Sequence, residues 1–249
     1  MHSPNGITTI LFDLDGTLRH NRPDGAETFI DRAIALGLPV GAEDRLLGFR
    51  WEHYYWANSP ELLSDLKTFG REGPDFWSNY GRRQLIALGT EPGRAASLAP
   101  ILSQYMNDEY KPESIMPTDA PAMLTELKEA GFRLGVVSNR EKPYLEELDR
   151  LGVTGHFDLV MAAGEVQSYK PDPGIFKTAL ERIGAQPSAA VYVGDNYFAD
   201  VVGAQRAGLR PVLYDPRGIY PNAECEVIAS FDRLAGLLDK ARSITAETK

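Results

Sequence analysis

The sequence predicts an α/β protein, a parallel-sheet core into which an α-helical domain is inserted. Three observations predict it. Short β-branched runs alternate with longer amphipathic segments, the pattern of strands joined by crossover helices. The first of these runs, Ile10-Leu11-Phe12, leads straight into Asp13-Leu14-Asp15-Gly16-Thr17-Leu18. An apolar strand of this kind is covered on both faces, and α/β folds place their ligands at the carboxyl ends of such strands. Between Leu18 and about Ser114 the strand pattern vanishes, and helical periodicity punctuated by Pro60, Pro74, Pro92 and Pro112 replaces it.

The elements follow in order. Strands are expected over Thr8 to Asp13, Arg133 to Ser138, Leu159 to Ala162, Ala190 to Gly194 and Pro211 to Tyr214. Helices are expected over Pro121 to Ala130, Lys142 to Leu151, Pro173 to Ile183, Ala199 to Ala207 and Phe231 to Ala241. Gly131, Gly152, Gly184 and Gly208 stand where helix ends need left-handed backbone. Residues 1–17 and 115–249 should thus form the α/β core and 18–114 the helical insert. Hinges are expected near Arg19 to Asp24 and Lys111 to Pro117, and disorder only over Thr245 to Lys249.

The insert carries Phe49-Arg50-Trp51-Glu52-His53-Tyr54-Tyr55-Trp56, then Phe76, Trp77, Tyr80, Arg82 and Arg83. Aromatics at helical spacing read first as core. Any that face a cleft would contact a sugar or base, and an arginine there would meet a second anionic group. Arg19, His20 and Arg22 read equally as surface side chains or as the border of a ligand site.

A chain of 249 residues has ample material for one large domain or a domain with an insertion. Cys225 is the sole cysteine, which excludes an intrachain disulfide and fits a reducing cytoplasm. The first six residues lack a secretory pattern, and no apolar run approaches the roughly 20 residues needed to span a bilayer. A cytoplasmic protein with no membrane association is therefore expected. The formal charge of −9, with no block of lysine or arginine, argues against a nucleic-acid polymer as partner. Nothing in the sequence fixes an oligomeric state.

Two acids two residues apart at a strand tip repel unless Mg²⁺ or a proton intervenes. The run after Phe12 therefore reads as a metal-dependent active site with Asp13 free to act as a nucleophile. Asp195, which closes the run Val191-Tyr192-Val193, is the natural second carboxylate for the metal. Mg²⁺ prefers octahedral oxygen ligands and retains waters, so few protein ligands suffice. Lys170 precedes a helix beginning near Pro173, where the macrodipole disfavours a cation, so an anion such as the Asp13 carboxylate must offset it.

The segment Asp13-Leu14-Asp15-Gly16-Thr17 resembles the first signature of the haloacid dehalogenase (HAD) superfamily, in its phosphatase branch, like the phosphoglycolate phosphatases. Val136-Val137-Ser138-Asn139 is similar to the second signature and Lys170-Pro171-Asp172-Pro173 to the third. Gly194-Asp195-Asn196-Tyr197-Phe198-Ala199-Asp200 is similar to the fourth, and all four come in the family's order.

The resemblance implies a Rossmann-like, HAD-like core with a helical cap inserted after the first motif. It also implies Mg²⁺-dependent hydrolysis of a small phosphorylated metabolite through an aspartyl-phosphate on Asp13. Asp15 would protonate the leaving oxygen and then deprotonate the attacking water, while its backbone carbonyl joins Asp13 and Asp195 on the metal. The backbone N–H groups of Gly16 and Thr17, the Ser138 hydroxyl and the Asn139 N–H would meet phosphoryl oxygens. Lys170 would screen the repulsion between nucleophile and substrate. Asp200 would reach the metal through a bound water, or serve only as an acid favoured at a helix N-terminus. Asn196 departs from the Ser, Thr or Asp often found in the family at its position.

Three other readings remain. A phosphomutase would use the same aspartyl-phosphate, but no histidine stands near position 25 to couple a mutase cap. A dehalogenase would leave Asp15 and Asp195 without purpose. A non-catalytic phosphate-binding regulatory protein is disfavoured because every catalytic position is filled.

Overall fold

The computed structural model describes residues 6–71, 73–234 and 236–237. Of the helix expected over Phe231 to Ala241, residues 235 and 238–241 lie outside the described residues, and the tail Thr245 to Lys249 does so wholly. The chain forms two compact units. One comprises the described residues up to His20 together with those from Ile115 onward; the other is Asn21–Ser114.

The strands in chain order are β1 (Thr9–Phe12), β2 (His20–Arg22), β3 (Glu113–Ile115), β4 (Arg133–Ser138), β5 (Leu159–Ala162), β6 (Ala190–Gly194), β7 (Arg210–Tyr214) and β8 (Glu226–Ile228). The helices are α1 (Gly25–Ala35), α2 (Ala42–Trp56), α3 (Pro60–Phe69), α4 (Pro74–Ala87), α5 (Pro92–Asp108), α6 (Ala120–Glu129), α7 (Leu145–Arg150), α8 (Ala163–Val166), α9 (Pro173–Ile183) and α10 (Val202–Arg206).

Six strands form one sheet in the order β5-β4-β1-β6-β7-β8, and every neighbouring pair is parallel. This is the α/β core expected from the alternating pattern. β1 lies inside the sheet and its four residues are all buried. Successive side chains of a strand point to opposite faces. Ile10 and Phe12 accordingly join Val136, Val191 and Val193 in one core cluster, while Leu11 joins Val137, Met161 and Tyr192 in the other. Each such large apolar side chain contributes about 1.5–3 kcal/mol by leaving water. The chain runs β1, β4, β5 to one side, then returns to place β6 on the other flank of β1. That reversal makes the carboxyl ends of β1, β4 and β6 the switch point where α/β sheets hold ligands.

Two helices differ from expectation at their starts. The segment expected as helix from Lys142 is helical only from Leu145. Pro143 pushes Lys142 out of helical backbone, and the buried Tyr144 hydroxyl, 3.0 Å from both Val136 O and Met161 O, ties the segment to the sheet. The helix expected from Ala199 begins instead as a π turn, Tyr197–Val201, that continues into α10. β8 and the single turn α8 are too short to have shown a period in the sequence. The four glycines expected at helix ends all have positive φ, from 69° to 83°.

In the Asn21–Ser114 unit, Pro60, Pro74 and Pro92 open α3, α4 and α5, where a missing N–H costs nothing. Tyr55, Phe76 and Tyr80 are buried in one cluster with Leu62, against Trp51 and Trp56. The buried Asp65 accepts hydrogen bonds from the Tyr55 hydroxyl at 3.0 Å and from Arg83 Nη2 at 2.9 Å. Core is therefore the role of these three aromatics. Arg83, weighed as a group for a second substrate anion, is engaged with Asp65, and Arg82 donates to Asn79 Oδ1. No helix among the described residues is long and apolar enough to cross a membrane.

Candidate active site

Asp13 follows β1 directly, and its N–H donates to Val193 O at 2.8 Å, which carries the pairing with β6 one residue past the strand. Its carboxylate is buried and meets Lys170, whose Nζ donates to Asp13 Oδ1 at 2.5 Å, Asp200 Oδ1 at 2.7 Å and Tyr192 Oη at 2.9 Å. All three ammonium protons are thus placed. The Tyr192 hydroxyl donates onward to Val137 O at 2.8 Å, which aims it at the lysine.

The turn after Asp13 is shaped by glycine. Gly16 has φ +93°, and a Cβ there would stand 2.3 Å from Asp195 Oδ2. Gly194 makes the same allowance for Asp200, whose carboxyl carbon a Cβ would approach to 2.3 Å. The buried Thr17 hydroxyl donates to Asp195 Oδ1 at 2.9 Å and accepts from the Asp195 N–H at 3.0 Å, so the first loop braces the acid that ends β6. Asn196 caps the π turn by accepting from the N–H groups of Phe198 and Ala199, both at 3.0 Å, and its own N–H donates to Asp200 Oδ2 at 2.9 Å. A π turn beside a functional site is a recurrent device for aiming a side chain.

Ser138, at the end of β4, is buried, and its oxygen accepts from the Arg140 N–H at 3.3 Å. The Asn139 side chain grips the Lys170 backbone at both ends: Nδ2 donates to Lys170 O at 2.9 Å and Oδ1 accepts from the Lys170 N–H at 2.7 Å. The third motif is thereby pinned to the second.

One carboxylate oxygen each from Asp13, Asp195 and Asp200 lies within 4.8 Å of the others. Burial raises the Asp13 carboxyl to about 7, with Lys170 opposing the rise and Asp200 adding to it. Burial, and then the neighbouring Asp13 and Asp200, also lift Asp195 well above the ordinary range. Burial works against the Lys170 ammonium, but Asp13 and Asp200 outweigh it and hold its pKa well above the usual lysine value. One lysine therefore stands against three carboxylates, those of Asp13 and Asp200 buried and that of Asp195 half-buried. An all-oxygen, electrostatically unsatisfied donor set of this kind suits a hard divalent cation such as Mg²⁺.

A family model for haloacid dehalogenase-like hydrolases matches residues 7–208, spanning all four motifs. The chain belongs to that family. Among relatives, a ribulose-1,5-bisphosphate 5-phosphatase of Halopiger xanaduensis is 32% identical over 234 residues, covering 92% of this chain and 91% of the relative. A glyceraldehyde 3-phosphate phosphatase of Methanopyrus kandleri is 32% identical over 247 residues, covering 97% and 100%. Among solved structures, a 2-haloacid dehalogenase from Pseudomonas syringae pv. Tomato superposes with TM-score 0.54 at 28% identity, over 94% of this chain and 99% of that one. This HAD-like hydrolase stands in the phosphatase branch its motifs resemble.

Within the HAD-like site the structure brings Asp13, Thr17, Lys170, Asp195 and Asp200 together and corrects one expectation. The N–H groups of Gly16 and Thr17, expected to face phosphoryl oxygens, are taken by the turn itself, donating to Arg19 O at 2.8 Å and Leu14 O at 3.3 Å. Among the described residues the preceding amides, Leu14 and Asp15, have no acceptor. Two further groups escaped sequence reasoning. Arg140 holds the Asp15 carboxylate with two bonds of 2.7 Å, Nε to Oδ2 and Nη2 to Oδ1. Tyr192 supports Lys170. Arg140 directly follows the second motif and was open to notice; Tyr192, between two valines of β6, reads as one more core aromatic.

Proposed function

We propose that this phosphoric monoester hydrolase is a Mg²⁺-dependent phosphatase of a small phosphorylated metabolite and works through an aspartyl-phosphate on Asp13. One observation carries the reading: a buried carboxylate at the tip of β1 faces a buried lysine and two further carboxylates. Phosphate monoesters resist attack because their charge repels nucleophiles, so neutralisation and alignment are what an enzyme must supply.

Asp13 attacks phosphorus, forming its O–P bond as the ester P–O bond breaks, and Asp15 gives its proton to the departing oxygen. Asp15 then takes a proton from water as that water attacks phosphorus, freeing inorganic phosphate and restoring the Asp13 carboxylate. Lys170 keeps the nucleophile placed and screened. The Ser138 hydroxyl and the N–H groups of Leu14, Asp15 and Asn139 receive the phosphoryl oxygens. Mg²⁺ would be held by Asp13, Asp195 and the Asp15 backbone carbonyl, and it neutralises charge on the transferring group. Asp200, already committed to Lys170 and the Asn196 N–H, would support the ion from outside its direct ligands. The Asn21–Ser114 unit is the family's cap in this reading and selects among esters, of the size of the sugar and triose phosphates for which the two relatives are named.

Halide displacement, the reaction named for the solved neighbour, needs no leaving-group acid and no cation, so it gives no reason for Asp15 and Asp195. Haloacid turnover that survives complete chelation would favour it. A mutase would convert a hexose 1-phosphate to its isomer instead of releasing phosphate. Asp13→Asn is expected to lower phosphatase turnover by more than about 10³-fold while the protein stays folded, and mass analysis of quenched wild-type enzyme should find a phosphoryl group on the peptide carrying Asp13. Full turnover by the variant, or no Mg²⁺-dependent ester hydrolysis across a broad metabolite panel, overturns the proposal.

A further inference from the structure

Asp15, Arg140, Glu147 and Arg19 form a closed ring of alternating charge. Arg140 meets both oxygens of Asp15 at 2.7 Å and sends Nη1 to Glu147 Oε2 at 2.6 Å. Arg19 closes the ring, with Nε on Glu147 Oε1 at 3.0 Å and Nη1 on Asp15 Oδ1 at 3.5 Å. The members come from the turn after β1, the loop after β4 and helix α7, so three separate elements converge on one carboxylate. The Arg140 guanidinium also lies 5.6 Å above the Tyr144 ring, and Tyr144 is itself buried against the sheet.

We infer that Arg140, anchored by Glu147, is a positioning residue that fixes where the ionised Asp15 carboxylate stands for the second proton transfer, the one from water. The inference rests on the acid–base role given to Asp15 above. An isolated surface ion pair would carry little weight, since exposed pairs are worth about 0–1 kcal/mol. This one is two-pronged, which fixes the plane of the carboxylate as well as its distance. Its anchor is sheltered, the Glu147 side chain being only 13% exposed. The Asp15 side chain itself remains 39% exposed. A half-exposed carboxylate otherwise samples several rotamers, and misplacing a proton-transfer group by about 1 Å costs on the order of 10²-fold in rate.

The test compares four proteins in steady-state hydrolysis of p-nitrophenyl phosphate with saturating Mg²⁺: wild type, Arg140→Leu, Asp15→Asn and the double variant. A group that acts through Asp15 has nothing left to act on once Asp15 is gone. Arg140→Leu is expected to lower kcat about 10- to 100-fold in the wild-type background, with KM changed by less than about 2-fold, and to lower kcat less than about 2-fold in the Asp15→Asn background. The burst of p-nitrophenol should persist in Arg140→Leu, because this leaving group departs without a proton. Arg140→Lys keeps the charge and loses the fork, so it should share most of the loss while melting like wild type; it also covers the case in which the leucine variant fails to fold. Equal fold losses in both backgrounds, a loss confined to KM, or full activity in Arg140→Lys overturns the inference while leaving the phosphatase reading intact. Full turnover by Asp15→Asn overturns the acid–base reading itself, and this inference with it.

Discussion

Lys170 has no proton to offer water. Its three ammonium hydrogens go to Asp13, Asp200 and Tyr192, and the last of these is the informative one, since it accepts from the lysine while donating to Val137 O. Tyr192→Phe removes the acceptor and leaves the buried Lys170 ammonium one partner short. A loss of about 1–3 kcal/mol in stability is expected, together with a fall in kcat on the order of 10-fold, read from thermal melts and steady-state kinetics; unchanged kcat would restrict the tyrosine to packing. Asp13, Ser138 and Asp195 were legible in the sequence because each stands where an apolar run stops, and a polar group there needs a reason; Lys170 was legible as a cation set just before a helix N-terminus. Tyr192 was not, because a hydroxyl in the middle of a buried strand leaves no mark on the period. Nor did residue types say which way the amides of Gly16 and Thr17 point; that depends on the turn Gly16 makes at φ +93°, closed by hydrogen bonds within Leu14 to Arg19.

The strands were the easiest elements to read. β4, β5 and β6 begin and end where their β-branched runs do, because parallel strands buried on both faces admit little but apolar residues. Helix starts were harder, since side-chain bonds decide them. At Tyr144 a hydroxyl tied to the sheet delays α7, and at Asn196 a side-chain oxygen serving two amides converts the entry of α10 into a π turn. That turn sets Asp200 against Lys170. Asn196→Ala should therefore cost about 1 kcal/mol through the lost cap, lowering Tm by about 2–4 °C, and should raise the Mg²⁺ concentration for half-maximal activity as Asp200 shifts. A normal metal requirement in a destabilised variant would separate the cap from the site.

At the level of the molecule, the acid cluster should make stability depend on pH and, through the proposed Mg²⁺, on cation. Buried Asp13 holds its proton up to about pH 7, whereas the unfolded chain releases it near 3.8. Between those values the folded state binds more protons than the unfolded one, so stability falls as pH rises through the window; Asp195, raised by the same burial, adds to the slope. A divalent cation that displaces those protons should reverse the trend. In thermal melts, Mg²⁺ is expected to raise Tm more at pH 7.5 than at pH 5, relative to excess chelator, and Asp195→Asn should remove most of the difference. Equal shifts at the two pH values would mean that the cation binds elsewhere. The sequence disclosed the four motifs that meet here; it was silent on how far the meeting depends on charge that the chain alone does not balance.

The strand that leads into Asp13 precedes both of its partners in the chain by more than a hundred residues. Thr9 pairs with Arg133 on one side and Ala190 on the other, and the whole of Asn21–Ser114 emerges from the ribosome in between. Contacts so distant along the chain are slow to form because loop closure must precede any reward from pairing. Asp13 therefore stays without its lysine until the chain has grown past Lys170, and without Asp195 until it has grown past β6; a chain cut short before β6 would hold only part of the acid cluster.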